Sequence, residues 1–458
     1  MEDTIAAIAT PPGHAAIGIV RVSGAEAITA VERCFAAESG ALLREQPSHT
    51  LAYGRVICDG ETLDRALVSV MRAPRSYTGE HVVEISCHGS PVILERVLLA
   101  LVRQGVRPAE RGEFTRRAFL HGKLDLTQAE AVADLITAPT DLVRRAAVRQ
   151  LEGTLRQTMS GVQQRLFTLL AALEAQIDFP DDVSDNELPG AVIKTLTEVR
   201  GDCADLLRHA DAGRLLRDGF RVVIAGRPNA GKSSVLNLLV REERALVTEV
   251  AGTTRDTIEA DINLEGLPVR LIDTAGLRAA TGIVERKGIE RTRRELGCSD
   301  LIAWVADWSR RPPRGEIEAV GKLSGRTAVL WIWNKCDLAC RWPARAVGGV
   351  PPAWAAVEIS ALTGAGAAAL HGQLAAALRA QLVTGDEQPM LLRARHRELL
   401  GRMLEALEHA LHTATAAPLP ELLATDVRAA LDAAGEFTGR ITTADVLDRI
   451  FSTFCIGK

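Results

Sequence analysis

The chain has 458 residues, enough for about three domains at the usual domain size. Its composition is 47% hydrophobic and 24% charged, which suits packed globular cores and argues against extended disorder. A net charge of −4 gives no overall basic field, so a nucleic-acid partner has to be met by local patches. The eight cysteines show no zinc-type pairing, and the opening MEDTIAAIATPPGH has neither the charged nor the apolar region of a signal peptide. No apolar run reaches the length of a membrane span, and the expectation is a cytoplasmic protein with reduced thiols.

Residues 17–24, 66–74 and 81–89 are β-branched runs between turns and predict strands. Residues 91–105 read as a helix stopped by Gly105, so the first part of the chain is mixed α/β. From Leu126 the pattern becomes helical, with a capping box expected at Thr127–Glu130. The acidic, Pro-containing stretch 178–185 interrupts it, and a further helix is expected from about Ala191 to Ala212.

At Phe220 the character changes again. Strands are expected at 220–226, 267–276, 300–307, 327–337 and 355–361, separated in several places by helical stretches. This alternation predicts a doubly wound, mostly parallel sheet. Beyond about Arg379 the chain is helical to its end. The fold class expected is therefore multidomain, α/β plus α. A mixed N-terminal domain (1–121) is followed by a helical domain in two parts (122–217 and 381–458). A P-loop domain (218–380) is inserted between them, although two separate helical domains would also fit the pattern.

The most informative segment is GRPNAGKS at 226–233, which follows a strand and opens a helix. Its glycines let backbone N–H groups face phosphates, Lys232 reaches the β- and γ-phosphates, and the Ser233 hydroxyl suits Mg²⁺. Asn229, Ala230, Gly231 and Ser234 complete this loop. Asp273-Thr274-Ala275-Gly276 ends another strand, where a carboxylate can join the magnesium shell through water and a glycine N–H can sense the γ-phosphate. Asn334-Lys335-Cys336-Asp337 ends a third. Asp337 accepts hydrogen bonds only, guanine offers it two donors on one edge and adenine does not, so the base expected is guanine. Ser360, Ala361 and Leu362 are placed to support the base.

Switch residues are expected in 248–256, with Thr254 a second Mg²⁺ ligand. Leu277 follows the Asp-Thr-Ala-Gly motif where Ras-type GTPases carry a water-orienting glutamine. The attacking water and the phosphoryl charge therefore need other help. Arg255, Arg278 and Glu285 are nearby in sequence, and the residues alone do not choose among them.

These motifs, with ATPPGHAAIGIVRVSG, YTGEHVVEISCHGSPVIL, RGEFTRRAFLHGKLDLTQAEAVADLI, IDFPDD, VTEVAGTTRD and the closing FCIGK, resemble the tRNA modification GTPase family called MnmE or TrmE over essentially the whole chain. The resemblance implies a GTPase that works with a flavoprotein partner, MnmG (GidA), in a heterotetramer or larger complex. Their joint product is tRNA modified at carbon 5 of the wobble uridine. It implies a homodimer built by the N-terminal domain, and a tetrahydrofolate derivative (5-formyl or 5,10-methylene) as one-carbon donor.

It further implies K⁺ bound by Asn229, Thr248, Val250 and Thr253, with Glu249, Ala251 and Gly252 in the same nucleotide-contacting loop, and Glu285 orienting the water. Carried over by motif, Arg21, Glu84, Lys123 and Lys458 would hold the folate, and Cys455 would complete the modification site. The Arg21–Glu84 combination also reads as a plain salt bridge. Basic runs at Arg111, Arg116 and Arg117, at Arg144, Arg145 and Arg149, and at Arg393, Arg395 and Arg397 could meet RNA, but such runs are more often solvated helix faces. The other functions that fit are an Era- or Der-like ribosome-assembly switch and a GTP-controlled scaffold without carbon chemistry of its own.

Overall fold

The computed structural model describes residues 3–179, 188–243, 259–273, 295–312, 315–325, 327–339, 351, 354–382, 393–416 and 419–458. The chain divides into two compact units, one of Met1–Ala133, Gln150–Leu196 and Glu405–Lys458, the other of Asp134–Arg149 and Thr197–Leu404.

The first unit is built on a seven-stranded sheet. Its strands are β1 (Ile5–Ile8), β2 (Ala15–Ser23), β3 (Phe35–Ala37), β4 (Thr50–Cys58), β5 (Glu61–Met71), β6 (Val82–Gly89) and β7 (Arg107–Pro108), in spatial order β3-β4-β5-β6-β2-β1-β7. Neighbours are antiparallel except β1 and β7. Period-2 alternation puts Val20, Val22, Val56, Val68, Val70, Val83 and Ile85 on one face, in one core with Leu94, Val97 and Leu101 of the helix Pro91–Arg103. Gly18 gives the Leu94 side chain room against the sheet, since a Cβ there would lie 2.6 Å from its terminal methyl. The opposite face carries Arg21 and Glu84 as cross-strand partners, and the exposed Leu51, Tyr53 and Leu67.

The same unit contains the helix Thr154–Asp178 packed on the helix Pro420–Thr438. Buried Gln163 donates from Nε2 to the Ala434 carbonyl and the Thr438 hydroxyl, at 2.5 and 3.1 Å. The expected capping box at Thr127–Glu130 is shifted. The helix starts at Leu126, and the reciprocal pair is Asp125 and Gln128: Gln128 N donates to Asp125 Oδ1 and Asp125 N donates to Gln128 Oε1. Asp is as good an N-cap as Thr, and the first apolar residue, Leu126, sits one position after it.

The second unit has a six-stranded sheet of β8 (Phe220–Gly226), β9 (Glu259–Leu264), β10 (Leu267–Asp273), β11 (Leu301–Asp307), β12 (Ala328–Asn334) and β13 (Ala355–Glu358). The order is β13-β12-β11-β8-β10-β9, parallel throughout except for the antiparallel edge strand β9. Phe220, Val222, Ile224, Val305 and Ile332 join one core with Val235 and Leu239 of the helix Lys232–Glu243 and Leu370 and Leu374 of the helix Ala367–Arg379. Val223, Ile302, Trp331 and Trp333 belong to a second core with Trp304, Trp308 and Trp354. Burial on both faces explains why these strands read as continuous apolar runs. The carboxyl ends of β8, β10, β12 and β13 lead into the sequence motifs, as the crevice rule for open parallel sheets requires.

Candidate nucleotide site

At the end of β8 the backbone enters conformations that favour glycine. Gly226 has φ +147° and Gly231 φ +96°. A Cβ on Gly226 would lie 2.2 Å from the Val305 carbonyl oxygen, and one on Gly231 would lie 2.2 Å from Asn334 Nδ2. Between them Asn229 takes the left-handed region at φ +63°, which asparagine tolerates better than most residues. The loop delivers Lys232 as the first residue of its helix, where the backbone N–H groups of the first turn and the positive end of the helix dipole favour an anion. Lys232 is 8% exposed and its Nζ donates to the Arg227 carbonyl at 2.9 Å. Ser233 Oγ donates to Asp273 Oδ2 at 2.8 Å, and Asp273 is fully buried. Two hard oxygen donors from two elements therefore converge beside the loop, a set that fits Mg²⁺.

Asn334 is 2% exposed and joins three segments. Its Nδ2 donates to the Ala230 carbonyl at 2.9 Å, and its Oδ1 accepts from Lys335 N at 2.8 Å and Ala361 N at 3.0 Å. The phosphate loop, the end of β12 and the loop after β13 are thereby held by one side chain. Lys335 Nζ donates to the Asn229 carbonyl and to Asp307 Oδ2, both at 2.7 Å. Ser360 Oγ donates to Asp337 Oδ1 at 2.5 Å and accepts from Thr363 N at 3.2 Å. Cys336 N donates to the Ile359 carbonyl, which fixes the turn. Leu362 projects outward, 86% exposed, and Ser234 is an exposed position on the helix that Lys232 opens.

Asn229, Ala230, Gly231, Lys232, Ser233, Asp273, Asn334, Lys335, Asp337, Ser360 and Ala361 are thus brought together through the side-chain and loop contacts just described. Thr248, Glu249, Val250, Ala251, Gly252, Thr253, Thr254, Thr274, Ala275, Gly276 and Glu285 lie outside the described residues, as do Arg255, Leu277 and Arg278. Sequence reasoning passed over Asp307 and the Arg227 carbonyl. Part of the signal for Asp307 was available, since it is the polar residue that ends the apolar strand β11; its place beside the guanine motif comes only from the sheet register.

In the other unit, Arg21 and Glu84 face each other across β2 and β6. Arg21 Nε and Nη2 each contact Glu84 Oε1 at 2.8 Å. The Arg21 guanidinium lies 5.6 Å from the Tyr77 ring centre and 5.7 Å from that of Phe114, and its Nη1 donates to the Gly457 carbonyl at 3.3 Å. The closing FCIGK segment reaches this place because Ile456 forms a β-bridge with Arg111, and Gly457 lies so close to Ile8 that a Cβ would meet its carbonyl at 2.6 Å. Burial lowers the Lys458 ammonium pKa, Arg21 lowers it further, and Glu84 opposes them, so the three groups share one neighbourhood. Lys123 instead donates to the Pro74 carbonyl at 2.9 Å. Cys455 is exposed, and its carbonyl accepts from Gly112 N.

The basic runs are largely occupied internally. Arg117, 5% exposed, donates to Glu80, Glu113 and Asp3; Arg116 pairs with Asp448; Arg144 and Arg145 share Asp141; Arg393 pairs with Asp134.

Comparison with known proteins bears on the whole chain. Residues 4–123 match the family model described as the GTP-binding protein TrmE N-terminus, and residues 126–455 match the MnmE helical domain. A tRNA modification GTPase MnmE of Symbiobacterium thermophilum is 45% identical over 462 residues, covering all of both chains. That of Carboxydothermus hydrogenoformans is 42% identical over 464 residues, again covering both completely. Among solved structures, the G domain of the T. maritima FeoB iron transporter aligns with 34% of this chain and 98% of its own at 23% identity; its TM-score of 0.26 adds nothing to the fold already described. Two family models that between them span nearly the full length, and relatives aligned end to end, place the chain in the MnmE family of tRNA modification GTPases.

Proposed function

We propose that the chain binds and hydrolyses GTP at the ends of β8, β10 and β12, in the service of tRNA modification. The observation that carries this reading is the Asn334 side chain, which fixes the phosphate loop, the guanine motif and the base-supporting loop to one another. Three separate segments are then preset for one ligand with a phosphate end and a base end. Lys232 supplies positive charge to the phosphates, and Asp337, steadied by Ser360, accepts the guanine donors. Ser233 with Thr254 would hold Mg²⁺, and Asp273 would join through water. When bound, the ion neutralises charge developing on the phosphate oxygens.

The finer mechanism follows the family resemblance. K⁺ held by Asn229, Thr248, Val250 and Thr253 would supply the cation that an arginine finger supplies elsewhere, and Glu285 would orient the water in place of the missing glutamine. The Asn229 carbonyl accepts from Lys335, and the Asn229 side-chain oxygen would be the ligand for K⁺. In the N-terminal unit a tetrahydrofolate derivative would find Arg21, Glu84 and Lys458 grouped, with Lys123 turned to Pro74. Glu84 is already the partner of Arg21, so a folate carboxylate would have to compete with it. The chain would act as a homodimer with the flavoprotein MnmG, in the cytoplasm, on tRNA. The exposed Leu51, Tyr53 and Leu67 face suits burial against a second copy. We propose further that the functional domains are 1–121, 122–217 with 381–458, and 218–380.

GTP turnover in K⁺ against Na⁺ at matched ionic strength tests the hydrolytic mechanism. Faster turnover in K⁺, lost in Asn229→Ala, is expected. Equal rates in both salts would reject it.

A further inference from the structure

Lys335 has an unusual set of constraints for a surface lysine. Its backbone is in the left-handed region at φ +69°, a conformation that costs a non-glycine residue free energy and needs surrounding contacts to hold it. Its ammonium is fixed at two points. One is the Asn229 carbonyl inside the phosphate loop, the other the carboxylate of Asp307 at the end of β11. Asp307 is itself immobilised. Its Oδ1 accepts from both the N–H and the hydroxyl of Ser309, at 2.9 and 2.7 Å, which leaves Oδ2 for Lys335. The Asp307 side chain is 13% exposed against 31% for Lys335, so this pair is more shielded than an ordinary surface ion pair. Burial raises the Asp307 pKa, but the hydrogen bonds from Lys335 and Ser309 outweigh it and hold the carboxyl below the usual range.

Strand pairing explains why the two meet. Asp307 lies opposite Asn334 in the parallel β11–β12 register, and Trp308 N donates to the Asn334 carbonyl at 2.8 Å. The residue after Asn334 is therefore delivered beside Asp307 by the sheet itself.

We propose that Asp307 is a positioning residue for the nucleotide: it holds the Lys335 ammonium against the phosphate loop, so that the base pocket is formed before the nucleotide arrives and is slow to open afterwards. This rests on the reading that 226–233 and 334–337 bind a guanine nucleotide. Asp307 has no direct part in hydrolysis and acts through Lys335.

The test uses the full chain and a fluorescent GDP analogue. Its release rate is measured by displacement with excess GDP, beside steady-state GTP turnover. Asp307→Asn keeps the shape and removes the charge. It should raise the release rate about tenfold, the worth of one charge-assisted hydrogen bond, and raise KM with kcat held to within about twofold. Ser309→Ala loosens the carboxylate without removing it and should give a smaller rise. It also keeps the test alive if Asp307→Asn does not fold. In a Lys335→Met background, Asp307→Asn should add no further increase. Additive effects in the double variant, or an unchanged release rate in Asp307→Asn and Ser309→Ala, would overturn the inference. Failure of the unaltered protein to bind the analogue would instead overturn the nucleotide reading, and this inference with it.

Discussion

Asn334→Ala removes one buried side chain and three hydrogen bonds, to the Ala230 carbonyl and from the N–H groups of Lys335 and Ala361. Each such bond contributes about 1 kcal/mol net, and a partner left buried and unpaired costs about 1–3 kcal/mol. Since the nucleotide itself would re-cover part of the site, a loss near the lower bound, about 3 kcal/mol in total, is the reasonable expectation. That corresponds to roughly a hundredfold weaker nucleotide binding. The loss should fall on GDP and GTP alike, because Asn334 organises the loops and does not touch the γ-phosphate end alone. Calorimetric titration of both nucleotides, with circular dichroism to verify the fold, provides the measurement. Binding within about threefold of the unaltered protein would refute the idea that one side chain presets three segments.

Arg117→Met should destabilise the N-terminal unit by about 2 kcal/mol, because Glu80 loses its guanidinium partner and keeps the Ser23 hydroxyl, while Glu113 loses one of two guanidinium partners and keeps Arg107; a urea midpoint at pH 7 measures it. Burial alone would raise the Glu113 carboxyl, but hydrogen bonds from Arg107, Glu110 N and Arg117 hold it below its ordinary 4.5. The folded protein therefore takes up that proton later than the unfolded chain does. Stability is full above the ordinary value and falls as pH drops through the folded one, and the acid-side loss should be shallower in Arg117→Met. Cys87 is pushed up to about 12, chiefly by burial and further by Asp64. Alkylation at pH 8 followed by mass spectrometry should modify the exposed Cys455 and Cys298 first and leave Cys87 unlabelled; equal labelling of Cys87 would contradict its placement.

The parallel sheet was legible because its strands are buried on both faces and read as apolar runs ending in motif residues. β9 was not, since EADINL is a polar edge strand whose pairing is decided by β10. β4 escaped for a related reason: Leu51 and Tyr53 stand exposed on the face opposite the core, which blurs the alternation. At the site, the spacing of Lys232, Asp273, Asn334 and Asp337 carried the ligand chemistry, but it could not show that Asn334 bridges three segments or that Asp307 holds Lys335. Those are long-range contacts fixed by sheet register. The basic runs misled in the opposite sense. Arg117 looks like a free cation in sequence and is a buried hub in the fold: Glu113 is one helical turn away, but Asp3 and Glu80 are distant in the chain and are brought to it only by folding.

Guanine selectivity tests the central claim most directly. The purified chain with Mg²⁺ should bind GTP at least a hundredfold more tightly than ATP, the scale expected when a buried acceptor is left unpaired by the wrong base, and Asp337→Ala should remove most of that preference. Equal affinity for GTP and ATP in the unaltered protein would contradict the account.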